Sequence, residues 1–346
     1  MGQLIQLAPR RVPSPPFSGP LVDTFGRVHS DLRISVTDRC NIRCFYCMPE
    51  QGGEFAPISS LLSFEEILHF VSVALPLGIQ KIRITGGEPL LRPKIADLIA
   101  SLVEFAGVQD LALTTNAVLL AQHAKPLYDA GLRRLNIHLD TLDRERFRQI
   151  SRRDDLPKVL AGIDAAVNAG FRKIKLNAVA VKNLSEPDIV PLVQFARDRN
   201  IEARFIEFMP LDKQHLWSLD NVLTADEMIA CLSERFGELI PVPDADPRAP
   251  ATEYKFLDGH RVGFIASVTR PFCLNCNRLR LTADGYLRYC LFAREETSIK
   301  HLLRPRGSDE ALADAIRAVI WQKWEGHQIN QSSFVAPQRP MYSIGG

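Results

Sequence analysis

Residues 32–50 read LRISVTDRCNIRCFYCMPE. Leu32, Ile34 and Val36 alternate with Arg33, Ser35 and Thr37, the period of a strand with one apolar face. The run leads directly into Cys40, Cys44 and Cys47, spaced C-x3-C-x2-C. Three thiolates this close can share one metal centre yet leave it a ligand short. A [4Fe–4S] cluster held in this way keeps one iron open to a small molecule, unlike the four-thiolate clusters of electron carriers. Tetrahedral zinc is the alternative, and its usual spacing pairs two ligands with a second pair further on. A disulfide knot fits poorly, because three is an odd number and nothing in the chain reads as secretory.

Working outward, the same alternation recurs. Strands are expected over Leu32–Thr37, Lys81–Thr85, Leu111–Thr114, Arg134–Leu139, Lys173–Val181 and Ala203–Phe208. Helical patterns fill the gaps over Ser63–Leu75, Lys94–Phe105, Ala121–Ala130, Leu156–Ala169 and Glu186–Asp198, with Gly78, Gly131 and Gly170 as stops. Strand–helix alternation implies right-handed βαβ units and a parallel sheet. The fold class is therefore α/β, either an incomplete barrel of six units or an open doubly wound sheet. Strands of a parallel sheet covered on both faces should be apolar throughout. Here one face carries Arg33, Arg83, Thr114, Asn136, His138, Lys175 and Asn177. That polar, cationic face implies a lumen for an anionic ligand. Gly86-Gly87-Glu88-Pro89 follows the second strand, at the strand ends where such folds carry their chemistry.

A chain of 346 residues suggests about two domains. We expect a Pro-rich arm over 1–22, the barrel over 23–215, and a C-terminal domain over 216–346 that closes the barrel mouth. A net charge of +2 gives no footing for nucleic acid, and no apolar run is long enough for a membrane span. Seven cysteines without a convincing signal segment point to thiolates used as ligands in the cytoplasm.

Past residue 216, a helix over Thr224–Phe236 and a hairpin turning at Asp258-Gly259 precede a second thiol set, Cys273, Cys276 and Cys290. His260 could complete a zinc site, although it sits at the turn. Ligand number favours a second iron–sulfur centre with one open iron. Arg278 and Arg280 alternate with Leu279 and Leu281, putting both guanidinia on one face, suited to a phosphate chain or a nucleobase oxygen.

The C-x3-C-x2-C run with Tyr46 before its last cysteine, followed by GGEP, resembles the radical S-adenosylmethionine (SAM) superfamily. Together with KIRITGGEPLLR, KIKLNAV, FIEFMP, CNRLRLTADGYLRYC and the final Gly345-Gly346, the chain resembles the GTP 3′,8-cyclase family within it. That resemblance implies a partial (β/α)6 barrel, two [4Fe–4S] clusters and SAM. It implies SAM contacts at Tyr46, Gly87 and Met209, and GTP contacts at Arg33, Arg83, Thr114, Lys175, Arg278, Leu279 and Arg280. It further implies that the double glycine reaches into the site, a homodimer, and hand-over of product to cyclic pyranopterin monophosphate synthase. His138 departs from the pattern: the family has a serine contacting SAM there, and the expectation is that His138 keeps the contact. A radical SAM enzyme modifying peptides, and a non-catalytic metal-binding module, are the competing readings.

Overall fold

The computed structural model describes residues 14–345, apart from 17, 213, 215, 244 and 245. Most of the Pro-rich arm, and Gly346, lie outside the described residues. Strands β1 (Asp31–Ser35), β2 (Lys81–Thr85), β3 (Asp110–Thr115), β4 (Arg134–His138), β5 (Lys173–Ala180) and β6 (Glu202–Glu207) fall within a few residues of the expected bounds. Helices α1 (Phe64–Ala74), α2 (Ile95–Val103), α3 (Leu120–Asp129), α4 (Arg144–Ser151), α5 (Leu156–Ala169) and α6 (Glu186–Asp198) alternate with them. The unexpected one is α4. Its sequence RERFRQIS buries only Phe147 and Ile150 among its apolar residues, too few for a helical period to stand out.

Strands β1 to β6 pair in chain order, each parallel to the next. A doubly wound sheet would reverse its strand order partway; this one does not. The remaining strands are β7 (Ile240–Pro241), β8 (Thr252–Lys255), β9 (Arg261–Ile265), β10 (Arg278–Leu281), β11 (Tyr286–Arg288) and β12 (Thr297–Ser298). They extend both edges: β9 lies parallel to β6, and β10 lies parallel to β1. Strands β8 and β9 form the expected antiparallel hairpin, with Gly259 at its turn. The C-terminal part of the chain thus flanks the barrel strands on both sides.

Period two fixes the two faces. Leu32, Ile34, Ile82, Ile84, Leu113, Leu135, Ile137 and Leu176 are fully buried in the main core. The opposite face gathers the cations, because register sets Arg33 beside Arg83 on one side and Arg280 on the other. Local chemistry fixes the helix ends. Ser63 Oγ accepts from the Glu66 backbone and Glu66 Oε2 accepts from the Ser63 backbone, a reciprocal cap at α1 worth about 1 kcal/mol. Gly170, at φ +104°, ends α5 where a side chain would be strained and would press on the Tyr128 ring. Buried Glu207 ends β6 and accepts from the backbones of Val268, Thr269 and Ala225, the last of these at the start of α7 (Ala225–Phe236). That carboxylate ties the C-terminal part to the barrel.

Candidate active site

The first thiol loop leaves β1 and folds back on itself, with the backbones of Cys47 and Met48 both donating to the Cys44 carbonyl at 2.9 Å. The glycine turn docks onto the loop: Gly87 N donates to the Thr37 carbonyl and Glu88 N to the Arg39 carbonyl, each at 2.7 Å. A Cβ on Gly87 would lie 2.3 Å from the Arg39 oxygen, and one on Gly86 2.6 Å from the Thr37 oxygen. The glycines are thus required for backbone-to-backbone contact as well as for lining the cavity. Glu88 is wholly buried and accepts from Thr115 Oγ1 at 2.8 Å and Asn116 N at 2.7 Å, latching β2 to β3. Burial pushes its carboxyl up to about 7, against those hydrogen bonds. Asn116 in turn donates to Asn41 at 2.7 Å and to Cys40 Sγ at 3.6 Å.

Cys40, Cys44 and Cys47 face a cavity of about 230 Å³ that Gly87, His138 and Met209 also line. Burial pushes the Cys40 thiol up to about 12, with Glu88 adding to the effect, and drives Cys47 well above its ordinary value. His138 Nε2 lies 2.8 Å from Tyr46 Oη, 3.1 Å from Asp140 Oδ2 and 3.9 Å from Cys44 Sγ. Burial works against protonation of this imidazole, but the Asp140 carboxylate prevails and raises its pKa well above the usual range. His138 thus belongs to a Tyr–His–Asp network on the wall where the SAM contact is expected.

A second cavity, of about 170 Å³, brings Cys273, Cys276 and Cys290 together with Arg33, Arg83, Thr114, Arg278 and Arg280. The Nε atoms of Arg33, Arg83 and Arg278 are buried without a partner. Burial and mutual repulsion lower Arg33 well below its ordinary value. Arg83 and Arg280 come down to about 10, chiefly through burial. Clustered, desolvated guanidinia of this kind are costly unless an anion joins them. Cys276 differs from the other thiols. Burial would raise it, yet Arg278 and Lys323 bring it down to about 6. Lys323 donates to Cys276 Sγ at 3.3 Å and to the Arg278 carbonyl at 2.8 Å. The tail closes on the same region, where Arg280 donates to the Gly345 carbonyl.

Two expected contacts sit differently. Lys175 lies toward the other end of the lumen, where Glu202 and Glu253 hold it at 3.1 and 3.2 Å. Leu279 is fully buried in the apolar core, so its side chain faces away from the cavity. His260 lines a separate cleft with Lys173 and Arg261, not the second thiol cavity. Sequence reasoning missed Arg204 and Lys323, and gave Glu88, though within the Gly86–Pro89 turn, and Asn116 no role of their own. Arg204 was open to the period-two rule, since Glu202, Arg204 and Ile206 share one face of β6; Lys323 carries no local signal.

All seven cysteines are free thiols. Among the described residues, no three His, Cys, Asp or Glu side chains form a group that could hold a single metal ion. Each three-thiol set instead lines a roomy cavity, and that donor set fits a multi-iron sulfur cluster with one open iron. No helix among the described residues is long and apolar enough to cross a membrane.

Residues 34–196 match the Radical SAM superfamily model, and residues 201–329 match Molybdenum Cofactor Synthesis C. The chain is 49% identical over 330 residues to a GTP 3′,8-cyclase of Rhodopirellula baltica, covering 94% of this chain and 92% of that protein. It is 46% identical over 329 residues to one of Rhodococcus opacus, at 94% and 93% coverage. Among solved structures, Streptococcus suis SuiB bound to S-adenosylmethionine matches with a TM-score of 0.58 at 15% identity, over 87% of this chain and 68% of that one. At that identity the likeness establishes the fold, which is that of the radical SAM enzymes.

Proposed function

The chain belongs to the GTP 3′,8-cyclase family, radical SAM enzymes of molybdenum cofactor synthesis, and from that premise we propose a division of labour between its two thiol sites. The enzyme uses SAM and iron–sulfur chemistry, and GTP is its substrate. The first site, on Cys40, Cys44 and Cys47, would hold the cluster that faces SAM, with Tyr46, Gly87, His138 and Met209 around the cofactor. The second, on Cys273, Cys276 and Cys290, would hold a further cluster against which the guanine is placed. When bound, the first cluster and SAM would supply hydrogen-abstracting radical chemistry at ribose C3′, with an external reductant providing the electrons, toward 3′,8-cyclo-7,8-dihydro-GTP.

The observation that carries this reading is the joining of the two cavities. Thr114, Asn177, Ile206, Met209 and Met341 line both. A nucleotide in the second cavity would therefore present part of itself to the first. Arg33, Arg83, Arg278 and Arg280 form no ion pair with a carboxylate among the described residues, which leaves them for the triphosphate. Holding the reacting carbon in place is the chain's principal contribution. Apolar Ile206 and Met209 line that junction. A homodimer, a cytoplasmic setting and hand-over to cyclic pyranopterin monophosphate synthase complete the proposal. The test uses anaerobically reconstituted enzyme and GTP deuterated at C3′: deuterium is expected in 5′-deoxyadenosine, and its absence rejects the assignment.

A further inference from the structure

Two side-chain amides, one at the junction of the two cavities and one beside it in the second, have unmet hydrogen-bonding capacity. Asn136, on β4, is 2% exposed and lines the second cavity, yet its Nδ2 has no partner. Asn177, on β5, lines both cavities, and its Oδ1 is likewise buried without a partner. Both lie on the cavity face of the sheet, with Asn136 opposite Thr114 on one side and Lys175 on the other, and Asn177 opposite His138, so the two are diagonal neighbours across β4 and β5. A buried amide donor or acceptor left unpaired is destabilising until a partner joins it. A donor and an acceptor left open on diagonal neighbours suit adjacent ligand groups that can both accept and donate, such as a pair of hydroxyls.

We infer that Asn136 and Asn177 grip the ribose hydroxyls of the nucleotide and so set the enzyme's preference for a ribonucleotide. The inference rests on the reading of this cavity as the GTP site. Phosphate oxygens only accept, and an amide oxygen at Asn177 would repel them; the unpaired guanidinia already serve that end. A guanine edge can do both, but it belongs beside the second thiol set. The junction is the part of the second cavity that opens on the first thiol site, so it is where the reacting carbon must lie. A hydroxyl next to that carbon is both donor and acceptor. Asn136 and Asn177 are thus positioning residues that fix which ribose face meets the first cavity.

The experiment measures equilibrium binding of GTP, 2′-deoxy-GTP, 3′-deoxy-GTP and ITP to anaerobic, iron-loaded enzyme with SAM. Unaltered enzyme should bind at least one deoxy analogue about tenfold more weakly than GTP. Asn136→Ala and Asn177→Ala should weaken GTP by a similar factor and bring that analogue within about twofold of GTP, leaving the ratio of GTP to ITP unchanged. Equal binding of GTP and both deoxy analogues by unaltered enzyme overturns the inference and leaves the GTP reading intact; this arm needs no variant to fold. Variants that keep full deoxy discrimination, or that shift the GTP-to-ITP ratio instead, also overturn it. Binding of SAM without any binding of GTP would overturn the inference together with the reading beneath it.

Discussion

The two thiol sites solve the same problem in opposite ways. Cys40, Cys44 and Cys47 sit on one loop, tied by its own backbone and by the docked Gly86-Gly87 turn. Burial raises two of those thiols, Cys40 and Cys47. The second set is assembled from the 273–276 segment and from Cys290, which follows β11, and cations reach it from across the fold. There Arg278 and Lys323 lower Cys276 to about 6, so it stands as a thiolate near neutral pH. The first site is a locally built pocket in which burial holds the Cys40 and Cys47 thiols up. The second is a tertiary construction that stores positive charge before any ligand arrives, suited to an anionic substrate.

The largest effect should come from dividing the sites by mutation. Cys44→Ala should abolish SAM cleavage, while Cys276→Ala should leave reductive SAM cleavage but abolish cyclisation. Iron and sulfide content, with 5′-deoxyadenosine as readout, would check both. Loss of SAM cleavage in Cys276→Ala would show that the sites are not separable as drawn.

This asymmetry also explains what the sequence could tell. The first site is legible because its three cysteines lie within eight residues and the strand before them alternates openly. Strands β2 to β6 followed for the same reason, and the polar face they share was visible as a lumen. Arg204 answers to the same rule. By contrast, the pairing of Asp31 with Arg278, which lays β10 against β1, leaves no trace in local pattern. Lys323 reaches Cys276 only because helix α8 (Asp309–Trp321) delivers the chain there. The engagement of Lys175 by Glu202 and Glu253, and the latch formed by Glu88, depend equally on pairings that only the folded sheet creates.

Lys323 therefore sharpens the comparison next. Partners of ligands are typically worth roughly 10–100-fold in metal affinity. Lys323→Met keeps the apolar stem and removes the donor, so it should lower iron retention at the second site and spare the first. Chelator challenge of Cys44→Ala and Cys276→Ala proteins, each with and without Lys323→Met, reads the two sites separately. Equal sensitivity at both would remove Lys323 from the account.

The second site has a further support. Arg27 donates to the carbonyls of Cys273 and Glu325, each at 2.7 Å, while Asp23 accepts from Arg27 and lies 3.0 Å from His29 Nε2. Burial lowers His29 to about 4 despite Asp23, and the Lys323 and Arg27 charges add to the lowering. Folded His29 is thus neutral where the unfolded chain takes up a proton below its ordinary value of 6.5. Its contribution to stability is present at neutral pH and is lost as pH falls from 6.5 toward 4. That amounts to about 2 kcal/mol between about pH 7.5 and pH 5. His29→Gln keeps a donor for Asp23 but cannot titrate. Urea unfolding at the two pH values should show a smaller loss in that variant; an identical loss would move the titration elsewhere.

The smallest expected effect lies at His138, in the first site. The imidazole stands where the family resemblance implies a smaller serine, and it lies within hydrogen-bonding distance of Asp140 and Tyr46. Asp140 favours the charged imidazole, and a charged donor to the SAM carboxylate would be worth more than a hydroxyl. His138→Ala should therefore weaken SAM binding by about tenfold, with His138→Ser recovering only part of it. If alanine leaves SAM affinity unchanged and serine raises it, the histidine is tolerated bulk. In that case the first site would hold SAM through Tyr46, the glycine turn, Met209 and the open iron, without His138. The contrast with the charged second site would then be sharper, because the first would keep no cation of its own on that wall.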